Sequence, residues 1–194
     1  MLLSRRHAWA AEKRISVLAL HQEALADIVG AIPEPGTSLH IVNNASADFW
    51  DFIPYLASLM GPAHMHASTW SMNRTNAREM LELLDRGQLL DVALLTGSYF
   101  KTREHAVYAT LAAGLLERGQ RILAFWNHAK ILVLQNERAA IVVEGSANFT
   151  QNPRIEQYVV THSRELAEFH RSWMEEMFID AARFAPIRAR PREG

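Results

Sequence analysis

Short apolar runs alternating with amphipathic segments constrain this chain more than any other feature. LHIV (39–42), AHMHASTW (63–70) and LLDVALLTG (89–97) read as strands, and each is followed by a stretch of helical pattern. Those stretches are SADFWDFIPYLASLM (46–60), Asn73–Gly87 and Arg103–Arg118, the last stopped by Gly119. In the first of them Ser46 is a candidate N-cap, and Pro54 predicts a kink or break. LLDVALLTG is apolar enough to be buried on both faces. RILAFW, HAKILVLQ and AAIVVEGS then arrive in quick succession as strands, the last two joined by a turn around Asn136–Arg138. IEQYVVTH (155–162) adds another strand, and Ser163 caps a closing helix that runs to about Phe184. A βαβαβα order followed by clustered strands predicts an α/β fold, a mixed β-sheet flanked by helices on both faces.

Upstream, ISVLALHQEALADIVGAI (15–32) places Val17, Leu20, Ala24, Ile28 and Ala31 near one helical face, and PEPG (33–36) stops it. The expected organisation is an N-terminal helical arm over 1–38, one domain over 39–184 and a flexible basic tail over 185–194. The full 194 residues suit one domain, at roughly 100–200 residues per domain. Cysteine is absent, which removes disulfides, thiol nucleophiles and thiolate-bound zinc and fits a reducing cytoplasm. The opening MLLSRRHAWAAEKR lacks the apolar core of a secretory signal, and no run of 18 apolar residues occurs, so no stable membrane association is expected. The formal charge is −1, so the chain as a whole is no general polyanion binder. Its cations are seventeen Arg and three Lys, Lys13, Lys101 and Lys130, which singles out each lysine.

One lysine falls in the richest stretch, NHAKILVLQNERAAIVVEGSANFTQNPRIEQY (127–158). Alternation along a strand points His128 and Lys130 the same way, and Ser146 and Asn148 likewise at the end of the partner strand. A hairpin brings both pairs to one surface, which then offers a nucleophile, a cation, a hydroxyl and an amide, a set suited to phosphate. Glu156, on the next strand, is placed to accept a hydrogen bond from the second ring nitrogen of His128 and so to fix its tautomer.

HAK (128–130), GSANFT (145–150) and Glu156 together resemble the HxK…GSxN signature of the phospholipase D superfamily. The strand layout from about residue 39 also resembles that family's α/β/α module. The resemblance implies that His128 attacks phosphorus to form a phosphohistidine and that a second His protonates the leaving oxygen. It further implies that Lys130 and Asn148 bind the non-bridging oxygens, that Ser146 and Glu156 support the site, and that no metal or other cofactor is needed. Two local departures stand out. Gln135 occupies the place of the family's usual Asp, and the stretch from there to Gly145 is about three residues longer than the usual pattern. There is also one motif copy where a complete site needs two, so the resemblance implies a homodimer with two His128 side chains facing each other across a two-fold axis.

Other residues have plainer readings. His64 and His66 have the i,i+2 spacing of two metal ligands on a strand, but no clear third ligand accompanies them, so they are read as pocket floor or sheet packing. Trp70 shares their face with Ser68 and is read as core, with stacking on a base as the alternative. Lys101 reads as a solvated loop lysine, and Asn43–Asn44 as neighbours of the pocket mouth. Arg5–Arg6 and the group Arg183, Arg188, Arg190 and Arg192 read as solvated ends. The expectation is a metal-independent phosphodiester hydrolase with nucleic acid as substrate, resembling the bacterial phospholipase D-like nucleases. The alternatives are a phospholipid-cleaving enzyme of the same chemistry and a degenerate phosphate-binding module.

Overall fold

The computed structural model describes residues 7–9, 14–19, 25–44, 47–151 and 153–184. Its strands are β1 (His7–Trp9), β2 (Arg14–Ala19), β3 (Ser38–Asn44), β4 (Ala63–Thr69), β5 (Leu89–Gly97), β6 (Arg121–Phe125), β7 (Ile131–Gln135), β8 (Ala140–Gly145) and β9 (Ile155–His162). Its helices are α1 (Leu25–Val29), α2 (Phe52–Met60), α3 (Arg74–Asp85), α4 (Ser98–Arg103), α5 (His105–Glu117) and α6 (Arg164–Ile179), with 3-10 turns at Phe49–Asp51 and Ala181–Phe184. The strands form one nine-stranded sheet in the order β1-β2-β3-β9-β8-β7-β4-β5-β6. β4, β5 and β6 run parallel, joined by helical crossovers. β7, β8 and β9 form an antiparallel meander whose β9 edge pairs with β3. This is the mixed α/β sheet that the alternation predicts.

Local chemistry sets the element ends. The Asn73 side chain caps α3 by accepting from Asn76 N at 2.8 Å, and Ser163 caps α6 by accepting from Leu166 N at 3.1 Å. In the β7–β8 turn, Asn136 Oδ1 accepts from the backbone N–H groups of Arg138 and Ala139 at 2.9 and 3.0 Å. The two faces of the sheet are covered unequally. The large core lies on one side, where Phe49, Phe52, Leu56, Met80, Phe100 and Leu111 meet β3, β4, β5, β7, β8 and β9. On the other side, among the described residues, α6 lays Ala167, Met174 and Met177 over Val133, Val142 and Leu95.

Four local expectations are corrected. The helical arm over 1–38 is replaced, among the described residues, by β1, β2 and the short α1. RISVLA carries β-branched Ile15 and Val17 at alternate positions, and β3 offers an edge along which Arg14–Ala19 pairs in parallel, residue by residue. Pro54 is the third residue of α2, inside the first turn where its missing N–H has no intrahelical partner to lose, so the helix is unbroken there. Arg103–Arg118 is two helices, because Glu104 leaves helical geometry at φ −104°, ψ 39°. The closing helix ends at Ile179, followed by the 3-10 turn. Ser46, the first six residues with Arg5–Arg6, and the tail 185–194 lie outside the described residues. Among the described residues no helix is long and apolar enough to cross a membrane.

Candidate active site

The motif residues gather where the parallel strands β4 and β5 end, β7 begins and β8 ends, the carboxyl edge at which open α/β sheets form crevices. HAK is not part of β7 itself. Residues 127–130 form a lead-in to it, held to β8 by the bond from Gly145 N to Lys130 O at 3.1 Å. Its path is fixed by a half-buried clamp. Asn127 Nδ2 donates to Ser68 Oγ at 2.8 Å and to Thr69 O at 3.3 Å, while Asn127 Oδ1 accepts from Ala129 N at 3.1 Å. Ser68 Oγ donates in turn to Ala129 O at 3.0 Å. The peptide groups on both sides of Ala129 are thereby tied down, and these are the groups from which His128 and Lys130 project.

Lys130 is buried and His128 is exposed. Lys130 Nζ lies 2.8 Å from Nδ1 and 3.2 Å from Nε2 of His128, and donates to the His128 carbonyl oxygen at 2.8 Å. Near-equal distances to the two ring nitrogens place the ammonium over the imidazole rather than along either in-plane lone pair, and its directed hydrogen bond is the one to the carbonyl oxygen. Burial lowers the Lys130 pKa from the ordinary lysine value, and the negative charge of Glu156 acts against that shift.

Ser146 Oγ donates to Glu156 Oε2 and accepts from Gln157 N at 3.1 Å. The Glu156 bond expected from His128 thus comes from Ser146, one strand nearer, and the His128 ring is engaged by Lys130 instead. Gly145 is required for this approach, since a Cβ there would fall 2.6 Å from the Tyr158 ring. Asn148 Oδ1 accepts from Trp70 N at 3.2 Å. Phe149 anchors the same loop: its N–H donates to Thr69 Oγ1 at 3.1 Å, and its carbonyl accepts from Asn73 N at 3.1 Å. Trp70 lies between the two halves of the motif, its ring centroid 5.6 Å from that of His128 and stacked on Tyr99 at 4.5 Å. Gly97 makes room for it, because a Cβ on Gly97 would sit 2.3 Å from Trp70 Cδ1.

Beside His128 lies a shallow depression of about 370 Å³ lined by Trp70, Ser98, Phe125, Trp126, Asn127 and His128. Sequence reasoning missed Asn127, Tyr99 and Trp126 here, and gave Ser68 no role. The sequence held one signal for Asn127, its place immediately before His128. Trp70 is half-buried at the rim of the depression rather than in the core.

The remaining candidates fall elsewhere. His64 pairs with Asp91, and His66 Nε2 lies 2.6 Å from Glu175 Oε1. Both line a separate cleft of about 610 Å³ over the α6 face, together with Gln135, Arg121 and Arg171. Among the described residues no group of three His, Cys, Asp or Glu side chains is placed to hold a metal ion. Lys101 is exposed on α4, with Nζ 5.9 Å from the Tyr108 ring centroid. Asn43 is buried on β3 opposite Glu156 and donates to Ala47 O at 3.0 Å.

No protein-family model matches the chain, and no curated protein matches it by sequence. A comparison of folds does find a likeness. The chain superimposes on the crystal structure of Nuc from Salmonella typhimurium with a TM-score of 0.55 and 18% sequence identity, over 74% of this chain and 94% of that one. Nuc is described as a phospholipase D family member, so over most of its length this chain has the fold of a member of that family.

Proposed function

We propose that this protein is a phosphodiester hydrolase, a nuclease that acts through a phosphohistidine intermediate without needing a metal ion, in a site shared by two subunits. The observation that carries the reading is the buried Lys130 ammonium held against an exposed His128 ring. In the free site the Lys130 ammonium rests against the His128 ring and donates to the His128 carbonyl oxygen. A phosphodiester entering the site takes the ammonium onto a non-bridging oxygen, and the unprotonated ring nitrogen of His128 makes the in-line attack on phosphorus. A histidine–phosphorus bond forms and the phosphorus–oxygen bond to the leaving group breaks. His128 of the partner subunit gives its proton to the leaving oxygen. A water molecule deprotonated by that second imidazole then attacks the phosphohistidine, releasing phosphate monoester and restoring both rings. Lys130, with the amide of Asn148, stabilises charge on the non-bridging oxygens, the part that Mg²⁺ plays in other phosphoryl-transfer sites.

The place of Gln135 supports turnover over a degenerate binding module, since it lines the other cleft. A long polyanion fits a groove in which the phosphate-binding groups recur across a two-fold axis better than a single lipid head group does. A chain without cysteine suits the cytoplasm. The test is to incubate pure protein in EDTA with plasmid DNA, RNA oligonucleotides and phosphatidylcholine vesicles, with sedimentation run in parallel. Cleavage of nucleic acid by a dimer in EDTA is expected. Loss of activity on chelation that Mg²⁺ restores, or full activity as a monomer, contradicts the mechanism. Cleavage of the vesicles alone reassigns the substrate.

A further inference from the structure

We propose that the depression beside His128 is a stacking site for one unpaired nucleobase next to the attacked phosphate, which makes the enzyme selective for single-stranded or locally melted nucleic acid. The inference rests on the nuclease reading above and specifies its substrate. Trp126 is its main element. The residue is 67% exposed, yet its backbone is fixed between β6 and Asn127, whose side chain is wholly engaged by Ser68, Thr69 and Ala129. A large indole is thus held in water at a rigid position beside the nucleophile. Trp70, Phe125 and the Trp126 ring give the depression aromatic walls, and its volume falls in the range of small-ligand sites, about 300–1,000 Å³. Paired bases hide their faces in the duplex stack and expose only edges, so an aromatic wall selects bases that are already unstacked. A quaternary ammonium head group is the competing guest for aromatic residues. Among the described residues the lining holds no carboxylate, and Trp70 has one ring face already covered by Tyr99, so several free faces do not converge as a cation cage needs.

The experiment uses the full chain and three oligonucleotides in EDTA: a single strand, the same strand in a duplex, and the single strand with an abasic nucleotide next to the cleaved bond. Wild type is expected to cut the intact strand about 10- to 100-fold faster than the abasic one, the range that base–aromatic stacking supports. In Trp126→Ala this ratio falls to near one, and the preference for single strand over duplex falls with it. Trp126→Phe, which keeps a smaller ring, retains an intermediate ratio. Equal ratios in wild type and Trp126→Ala overturn the stacking site while leaving the phosphodiesterase reading intact. A Trp126→Ala protein that sediments as a monomer assigns the indole to the subunit contact and overturns it as well. Cleavage of phosphatidylcholine with none of any oligonucleotide overturns the nuclease reading and the stacking site together.

Discussion

Histidines and cations gather toward both ends of the β4–β7 pair, and they are wired in opposite ways. In the cleft over α6 two of the cations are closed onto carboxylates, and Arg164 donates to the carbonyl oxygens of Asn136 and Glu137. Arg121 holds Glu175 through two bonds, His66 adds a third contact to the same carboxylate, and Arg171 holds Glu168 at 2.9 and 3.0 Å. At the other end Lys130 closes onto an imidazole and a carbonyl oxygen, partners that carry no full negative charge. A matched ion pair has little to offer an incoming anion, whereas an ammonium resting on a ring can be drawn off by a phosphate. This contrast assigns the larger cleft to holding α6 as a latch and supports the proposal that the chemistry belongs to the His128 end.

The sharpest way to break this contrast is to remove one histidine from each end. His128→Ala is expected to lower the turnover of a nucleic-acid substrate by about ten-thousandfold or more, as for loss of a covalent nucleophile. His66→Gln, at a distant site with no shared partner, changes it by less than about twofold. Comparable losses in the two variants would put the cleft into the reaction. Next in size is Lys130→Ala, expected to cost about a hundred- to thousandfold in kcat, as for loss of one preorganised charge-stabilising donor. Because burial lowers the Lys130 pKa and the protonated form is the active one, activity falls with rising pH earlier than an ordinary lysine would dictate. Lys130→Arg, whose guanidinium keeps its proton, moves that alkaline limb to higher pH. A limb that stays in place in Lys130→Arg assigns it to another group.

The clamp behind the motif is a smaller lever on the same end. Ser68→Ala removes the donor to Ala129 O and one of the two acceptors of Asn127 Nδ2, costing two half-buried polar groups one partner each. The lead-in 127–130 then loses its fixed path, and turnover is expected to fall about tenfold with KM nearly unchanged, since misplacement of reacting groups by under an ångström is felt in the chemical step. Ser68→Thr keeps the hydroxyl and is expected to recover part of that loss. A fall in thermal stability with kcat intact would make Ser68 a packing residue only.

These contacts also mark how far the sequence could be read. β3, β5 and β9 were legible because apolar stretches such as LLDVALLTG permit few alternatives, and α3 and α6 because Asn73 and Ser163 announce their caps. The arm was not, since ISVLAL fits a helical stripe and a strand equally and the open edge of β3 decides between them. At the site, the residue types and spacing of His128, Lys130, Ser146, Asn148 and Glu156 were legible as a set. Their hydrogen bonds were not: Ser68 and Asn127 are 59 positions apart, and no local pattern links them. The ring cluster of Trp70, Tyr99 and His128 is hidden in the same way, being assembled by three separate chain segments.

On the latch side the expected effects are on stability. Arg121 and His66 hold the Glu175 carboxyl down to about 2, well under its ordinary value near 4.5. A carboxyl whose folded pKa is depressed contributes stability above its unfolded pKa and loses it as pH falls through the folded one. The Glu175 side chain keeps 27% of its surface in water, so screening reduces the contribution to about 1 kcal/mol. Wild type is expected to be more stable than Glu175→Gln by that amount at pH 6, with the gap closing between about pH 4.5 and pH 2. Urea unfolding across this range measures it. A gap that stays constant with pH would show that the amide loses packing rather than charge.

The smallest effect sharpens the comparison most, because it separates the two ends at a residue of the motif itself. Gln135 stands where the resembling family has Asp, five positions after Lys130 and at the far end of β7. At about 3.3 Å per strand residue it lies about 16 Å from Lys130, beyond the Debye length of about 10 Å at 0.1 M salt. Its neighbours are the latch residues His64, Asn136 and Arg164. A carboxylate placed there meets the Arg164 side of the cleft and has no route to the phosphate site except through the rigid sheet. Gln135→Asp is therefore expected to leave kcat/KM within about twofold of wild type, in line with independence of sites more than about 7–10 Å apart. A gain of tenfold or more would mean that the two ends are coupled through β7, and that the site at His128 is tuned from the latch.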